Sequence, residues 1–162
     1  MPIARKARIF WPVLLLVVLA DCTSKELAET HLVPFVPEPV VGDVVRLTLA
    51  YNPGAALSIS LGPYSRYILS ATALLALAFF AGLYRKTDSR QTLTVLALGL
   101  VMAGALGNLL DRLRSSRGVI DFIDIGLGSV RFWTFNIADV GVFVGALLLA
   151  WQLSRTPDAD PA

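Results

Sequence analysis

The chain has 162 residues, of which 56% are hydrophobic and 16% charged, and 14 Lys+Arg against 12 Asp+Glu leave a formal charge of +2. Soluble domains average about 25% charged residues. This balance excludes a disordered chain, which needs low hydrophobicity and high net charge, and argues against nucleic-acid binding, because no basic excess is present to neutralise phosphates.

The charges are missing in blocks, which points to a bilayer. At the N-terminus Arg5, Lys6 and Arg8 precede an apolar run from Ile9 to Ala20. This resembles the charged and apolar regions of a secretory signal peptide. Leu19-Ala20-Asp21-Cys22 even resembles a lipoprotein cleavage box, but the residue before such a cysteine should be small, and Asp21 is not. An uncleaved membrane helix over 9–27 fits better, with its polar end facing protein or the interface.

A loop over 28–66 follows. Within it Val44–Tyr51 is rich in β-branched and apolar residues, stops at the turn tripeptide Asn52-Pro53-Gly54, and resumes over Ala55–Ser60. Tyr67–Tyr84 and Gln91–Leu110 then carry no charge, and Phe132–Ser154 carries only Asp139. Each run is about 18 to 23 residues, or about 27 to 35 Å as helix, enough for a hydrocarbon core of about 30 Å. Membrane helices are expected over 67–84, 91–110 and 137–154. Between the last two, the loop 111–136 holds Val119–Ile125, a Gly126-Leu127-Gly128 turn and Ser129–Phe135, a second candidate hairpin. A short polar tail, Thr156–Ala162, ends the chain.

The expected fold is therefore an all-α integral membrane protein. It is one domain over 1–162, with four transmembrane helices and a small extracytoplasmic β-sheet. Arg5, Lys6 and Arg8, and Arg85, Lys86 and Arg90 in the short middle loop, place both termini in the cytoplasm. Loops 28–66 and 111–136 then lie outside, although Arg112, Arg114, Arg117 and Arg131 crowd the second. Cys22 is the lone cysteine, so no internal disulfide can form. His31 is a lone histidine with no Cys or His neighbours, so no metal site or cofactor is expected.

Boundary charges such as Arg66, Arg85, Lys86 and Arg155 are ordinary anchors. Asp21, Lys25, Asn108, Asp111, Asn136 and Asp139 are different, because they sit within or at the ends of apolar segments, where an ionised group is costly. Asn108-Leu109-Leu110-Asp111 closes the third helix and Asn136-Ile137-Ala138-Asp139 opens the fourth. Helical spacing would put each amide and carboxylate on one face. Because the third helix runs outward and the fourth returns, Asp111 and Asp139 fall at similar depth, with Asp21, Lys25 and Asn52 on the same side. Two neighbouring carboxyls cannot readily both ionise, so one keeps a proton and the other can activate water. That is aspartyl-type peptide hydrolysis. A proton relay or a structural network would use the same residues. So would a small transporter; a precursor anchored through Cys22 is a further class. Gly99, Ala103 and Gly107 recur every fourth residue and would admit a close helix neighbour.

In order along the chain, five motifs resemble those of bacterial lipoprotein signal peptidases, the signal peptidase II family. They are Asp21-Cys22-Thr23-Ser24-Lys25, Asn52-Pro53-Gly54-Ala55-Ala56-Leu57-Ser58, Gly107-Asn108-Leu109-Leu110-Asp111-Arg112, Val119-Ile120-Asp121-Phe122-Ile123 and Phe135-Asn136-Ile137-Ala138-Asp139. The resemblance implies an inner-membrane aspartyl endopeptidase with its site on the periplasmic side. It would cut diacylglyceryl-modified prolipoproteins just before the lipobox cysteine. It assigns the catalytic dyad to Asp111 and Asp139. Asp21, Lys25, Asn52, Gly54, Asn108, Arg112, Asp121, Asn136 and Ala138 would bind substrate or support the site. Membrane lipid and globomycin-type cyclic peptide inhibitors are the other implied partners. Leu57, where an aromatic is commoner, and Val140, where a small Ser is frequent, depart from the pattern.

Overall fold

The computed structural model of the protein describes residues 2–54 and 62–155. The elements run α1 (Pro2–His31), β1 (Glu38–Val41), β2 (Val45–Asn52), a 3-10 turn (Gly62–Tyr64), α2 (Ser65–Lys86), α3 (Thr92–Arg114), β3 (Val119–Leu127), β4 (Val130–Arg131) and α4 (Ile137–Ser154). All four α-helices fall in segments long and apolar enough to cross a membrane. Their outward side chains are apolar: Trp11, Leu15, Leu16 and Leu19 on α1, Leu74, Leu75 and Phe79 on α2, Phe143, Leu147 and Trp151 on α4. A surface this apolar is stable against lipid tails rather than water.

The third helix is the centre of the bundle. Its buried residues are mostly small or β-branched, Val95, Ala97, Gly99, Val101, Ala103, Gly104 and Gly107 among them. The expected Gly99–Ala103–Gly107 seam is buried but serves two neighbours. A methyl at Gly99 would touch Val13 of α1 at 3.2 Å, and one at Gly107 would meet the Asp21 carboxylate at 2.5 Å and the Ala138 side chain at 3.2 Å. The closest approach to α4 is made one step round the helix. A methyl at Gly104 would stand 2.2 Å from the Ala138 carbonyl, and one at Gly145 of α4 would stand 2.6 Å from Val101. Small residues on both faces let these backbones meet.

At one end of the bundle the Lys6 ammonium donates to the carbonyls of Tyr84 at 2.7 Å, Arg85 at 3.2 Å and Thr87 at 3.0 Å. It thereby satisfies carbonyls that the end of α2 leaves unpaired. At the other end lies a four-stranded antiparallel sheet in the order β1-β2-β3-β4. Its centre joins the two loops: Ala50 pairs with Asp121, Tyr51 with Ile120 and Asn52 with Val119. The second expected hairpin is β3 and β4, with Ile123 also bridging Phe135. In the first loop β2 pairs with the upstream β1, and the expected return strand over 55–60 lies outside the described residues, as do Leu57 and the polar tail. An apolar cluster of Ala28, Leu32, Leu49, Ile120 and Phe122 fastens the sheet to the end of α1.

The arginines that crowd the second loop are taken up by the fold. Arg114 pairs with Glu26, Arg117 with Glu29 and Arg131 with Asp124, while Arg112 donates to main-chain carbonyls.

The glycine contacts give a direct check. Gly104→Ala is expected to lower stability by about 1–3 kcal/mol, the usual cost of overpacking. Gly82→Ala, whose added methyl meets nothing within 4 Å, should not lower the unfolding midpoint in detergent.

Candidate active site

The site forms where the ends of α1 and α3, the start of α4 and the β2–β3 pair converge. Lys25 lies one turn after Asp21 on α1, and its ammonium sits 2.7 Å from Asp21 Oδ2 and 2.8 Å from Asp111 Oδ2. The Lys25 and Asp21 side chains are 2% and 1% exposed. The same ammonium donates to Asn108 Oδ1 at 3.2 Å. Asp21 also accepts from the Ala138 N–H at 2.8 Å, and Asp111 from the Ile120 N–H at 3.2 Å. Gly107 leaves the space in which Asp21 reaches across. One cation thus compensates two carboxylates, and main-chain donors supply the remainder.

Asn108 is oriented by this arrangement. A lysine only donates, so the amide oxygen faces Lys25 and the amide nitrogen must face away. That nitrogen donates to Asp139 Oδ1 at 2.7 Å. Asp139 is also the third residue of α4. Asn136 caps that helix: its side chain accepts from Asp139 N at 2.9 Å, and Asp139 Oδ2 accepts from Asn136 N at 3.2 Å. This capping box places a carboxylate at the positive end of the helix. Of the two Asn-x-x-Asp sequences, only the second is a cap.

Asn136 is fully buried and spends its amide hydrogens on Asp121 Oδ1 at 2.7 Å, Asn108 Oδ1 at 3.1 Å and the Ile120 carbonyl at 3.1 Å. Asp121 Oδ2 accepts from Asn52 at 3.2 Å, and Asn52 is itself held by the Gly54 N–H at 3.0 Å. Arg112 closes the ring, donating to the Asn108 and Gly54 carbonyls, both at 3.1 Å. Among the described residues its Nε is buried without a hydrogen-bond partner. All the residues singled out from the sequence therefore share one hydrogen-bonded network.

The network separates its carboxylates into two kinds. Asp21 and Asp111 flank Lys25. Asp121 and Asp139 flank Asn136, and among the described residues neither forms an ion pair. Burial pushes the Asp121 carboxyl up to about 7, and the neighbouring charge of Asp139 adds to the push. Hydrogen bonds from Asn52 and Asn136 and the charge of Lys25 oppose it. Among the described residues Asp111 and Asp139 share no direct hydrogen bond; they are linked through Lys25 and Asn108 and through Ile120 and Asn136. The main chain of Ile120, which serves Asp111 and Asn136 at once, carries no sequence signal as a site residue.

The signal peptidase (SPase) II family model matches residues 13–155. The chain belongs to the signal peptidase II family. It is thus an aspartic-type peptidase and a multi-pass bacterial membrane protein. A lipoprotein signal peptidase of Hydrogenovibrio crunogenus (strain DSM 25203 / XCL-2) is 38% identical over 141 residues, 86% of this chain and 80% of that protein. One from Moorella thermoacetica (strain ATCC 39073 / JCM 9320) is 39% identical over 140 residues, 86% and 88% of the two chains. A bacterial membrane enzyme solved by the in meso method at 2.3 Å superposes with a TM-score of 0.76 at 28% identity, covering 92% of this chain and 89% of that one.

Two outcomes are expected for this signal peptidase II site. Lys25→Met strands two carboxylates and should cost about 3–5 kcal/mol, read as loss of folded protein in detergent. Asp121 has a folded-state value near 7 against 3.8 for a free carboxyl, so the folded state holds its proton more tightly. The stability this contributes is complete below about pH 4 and is lost as pH rises through about 7. Asp121→Asn should flatten the unfolding midpoint across that window.

Proposed function

We propose that the protein removes signal peptides from diacylglyceryl-modified prolipoproteins, cutting just before the lipobox cysteine, in the bacterial inner membrane. The family, and the substrate class in its relatives' names, support this reading. Its termini are cytoplasmic and its site lies on the periplasmic side, because Lys6, Arg85 and Arg90 share the opposite end of the bundle.

The chemistry is assigned to Asp121 and Asp139 rather than to the Asp111–Asp139 pair expected from the sequence. The carrying observation is that Lys25 neutralises Asp111 directly, whereas Asp121 and Asp139 lie on either side of Asn136 and, among the described residues, neither forms an ion pair. A carboxylate held at 2.8 Å by a buried ammonium is a poor base for water. Asp139, at the positive end of α4, is the base. Asp121 carries the proton, kept by burial and by the charge of Asp139.

In this mechanism Asp121 gives its proton to the scissile carbonyl oxygen. Asp139 takes a proton from water as the water oxygen attacks the carbonyl carbon, giving a tetrahedral diol. The proton then passes to the leaving amide nitrogen, the C–N bond breaks, and Asp121 recovers its proton. The diacylglyceryl anchor holds the cysteine at the membrane surface and turns a search in solution into a positioned encounter. Globomycin-type cyclic peptides would compete for the same site.

Cleavage of a diacylglyceryl-modified lipobox substrate by purified variants tests the assignment. Asp121→Asn and Asp139→Asn should each lose at least about 10³-fold in turnover while remaining folded, in line with the loss of an acid or base. Asp111→Asn should fold poorly, yet its folded fraction should still turn over. Near-normal turnover by folded Asp121→Asn would return the dyad to Asp111 and Asp139.

A further inference from the structure

Three side chains outside the network meet at its rim. The Tyr51 hydroxyl donates to Glu29 Oε1 at 3.0 Å, and Arg117 Nη2 donates to the same oxygen at 2.7 Å. The Arg117 guanidinium lies over the Tyr51 ring, 4.1 Å from its centroid. Burial and the adjacent Glu29 carboxylate push the Tyr51 hydroxyl up, so it stays a donor. The cluster joins α1, β2 and the turn between α3 and β3. None of the three touches Asp121 or Asp139.

Their positions in the chain give the cluster a purpose. Tyr51 immediately precedes Asn52, and its partner across the ladder, Ile120, immediately precedes Asp121. Asn52 is the last residue of β2, where a ladder frays. Gly118, next to Arg117, has φ +106°, and a methyl there would stand 2.2 Å from the Asn52 carbonyl oxygen. The turn that carries Arg117 therefore presses directly on the Asn52 main chain. We propose that Glu29, Tyr51 and Arg117 form a clip that holds Asn52 in register against Asp121, and so act as positioning residues for peptide hydrolysis.

The clip is half-exposed, with the Arg117 side chain at 57% and that of Glu29 at 20%. Exposed ion pairs contribute little stability, so its loss should be felt at the Asn52–Asp121 hydrogen bond more than in the unfolding midpoint. A misplacement of about 1 Å can cost up to about 10²-fold in rate. Asp121 is faced by Asp139 from α4, Lys25 from α1, Arg112 from α3, and the amides of Asn52 and Asn136. Of these, Asn52 is the one the clip controls.

The inference rests on the Asp121–Asp139 dyad, and steady-state kinetics on the full chain in detergent with a lipid-modified lipobox peptide tests it. Tyr51→Phe and Arg117→Gln should each lower kcat about ten-fold or more with KM and unfolding midpoint unchanged. The alkaline limb of the pH–rate profile should move upward, as in Asn52→Ala, because Asp121 loses a hydrogen bond that favours its charged form. In an Asn52→Ala background, Tyr51→Phe should have no further effect. Unchanged kcat in both clip variants, losses that merely track the folded fraction, or an undiminished Tyr51→Phe effect in the Asn52→Ala background would each overturn the clip. An active Asp121→Asn variant would defeat the dyad reading instead. An inactive Asp121→Asn beside a fully active Tyr51→Phe would defeat the clip alone.

Discussion

A single buried ammonium organises the molecule. Lys25 stands between Asp21 and Asp111 at 2.7 and 2.8 Å, where an unpaired charge of either sign would be expelled or neutralised. Because Asp21 also takes the Ala138 N–H, the interaction joins α1, α3 and α4 at one depth. It has a second consequence. A donor-only cation fixes which end of the Asn108 amide faces it, and hence that an N–H, not an oxygen, reaches Asp139. The ion pair thus sets the hydrogen-bonding surroundings of a carboxylate it does not touch.

From this follows a division of labour among like residues. Four aspartates crowd one end of the bundle, and their chemistry differs because their neighbours differ. Two share a cation and behave as structural cross-links. The other two meet uncharged donors, the side-chain amide of Asn136 at Asp121 and the Asn136 main-chain N–H with the Asn108 amide at Asp139, and the charge of Asp139 helps to push the Asp121 carboxyl up. Aspartic peptidase chemistry needs that asymmetry. On the proposed placement at the membrane boundary, low dielectric penalises the doubly charged state.

Much of the site is legible in the amino-acid sequence. Polar residues kept inside apolar segments stand out because the bilayer removes nearly all others, and the site residues selected on that ground or by motif lie in the network. Less is legible about pairing. Asn108-x-x-Asp111 and Asn136-x-x-Asp139 read alike, yet one pair lines the flank of α3 and the other caps α4. The Gly99–Ala103–Gly107 spacing is visible, but not that Gly104 carries the tightest contact with α4. Arginines on the second loop look like a topological anomaly until Glu26, Glu29 and Asp124 emerge as their partners.

The sequence by itself determined the membrane class, the helices and the inventory of polar groups, because hydrophobic run length and residue type are local properties that the bilayer reads one segment at a time. Only the tertiary structure decided which carboxylate meets which neighbour. β2 and β3 belong to loops separated by two membrane helices, and their pairing carries Asp121 to Asn52 and Asn136. Lys25 could have faced any acidic residue at its depth; the close approach permitted at Gly107 and Gly104 turns α1 and α4 so that it holds Asp21 and Asp111. Charge compensation depends on contacts of about 3 Å between distant segments, and spacing along a chain does not encode them.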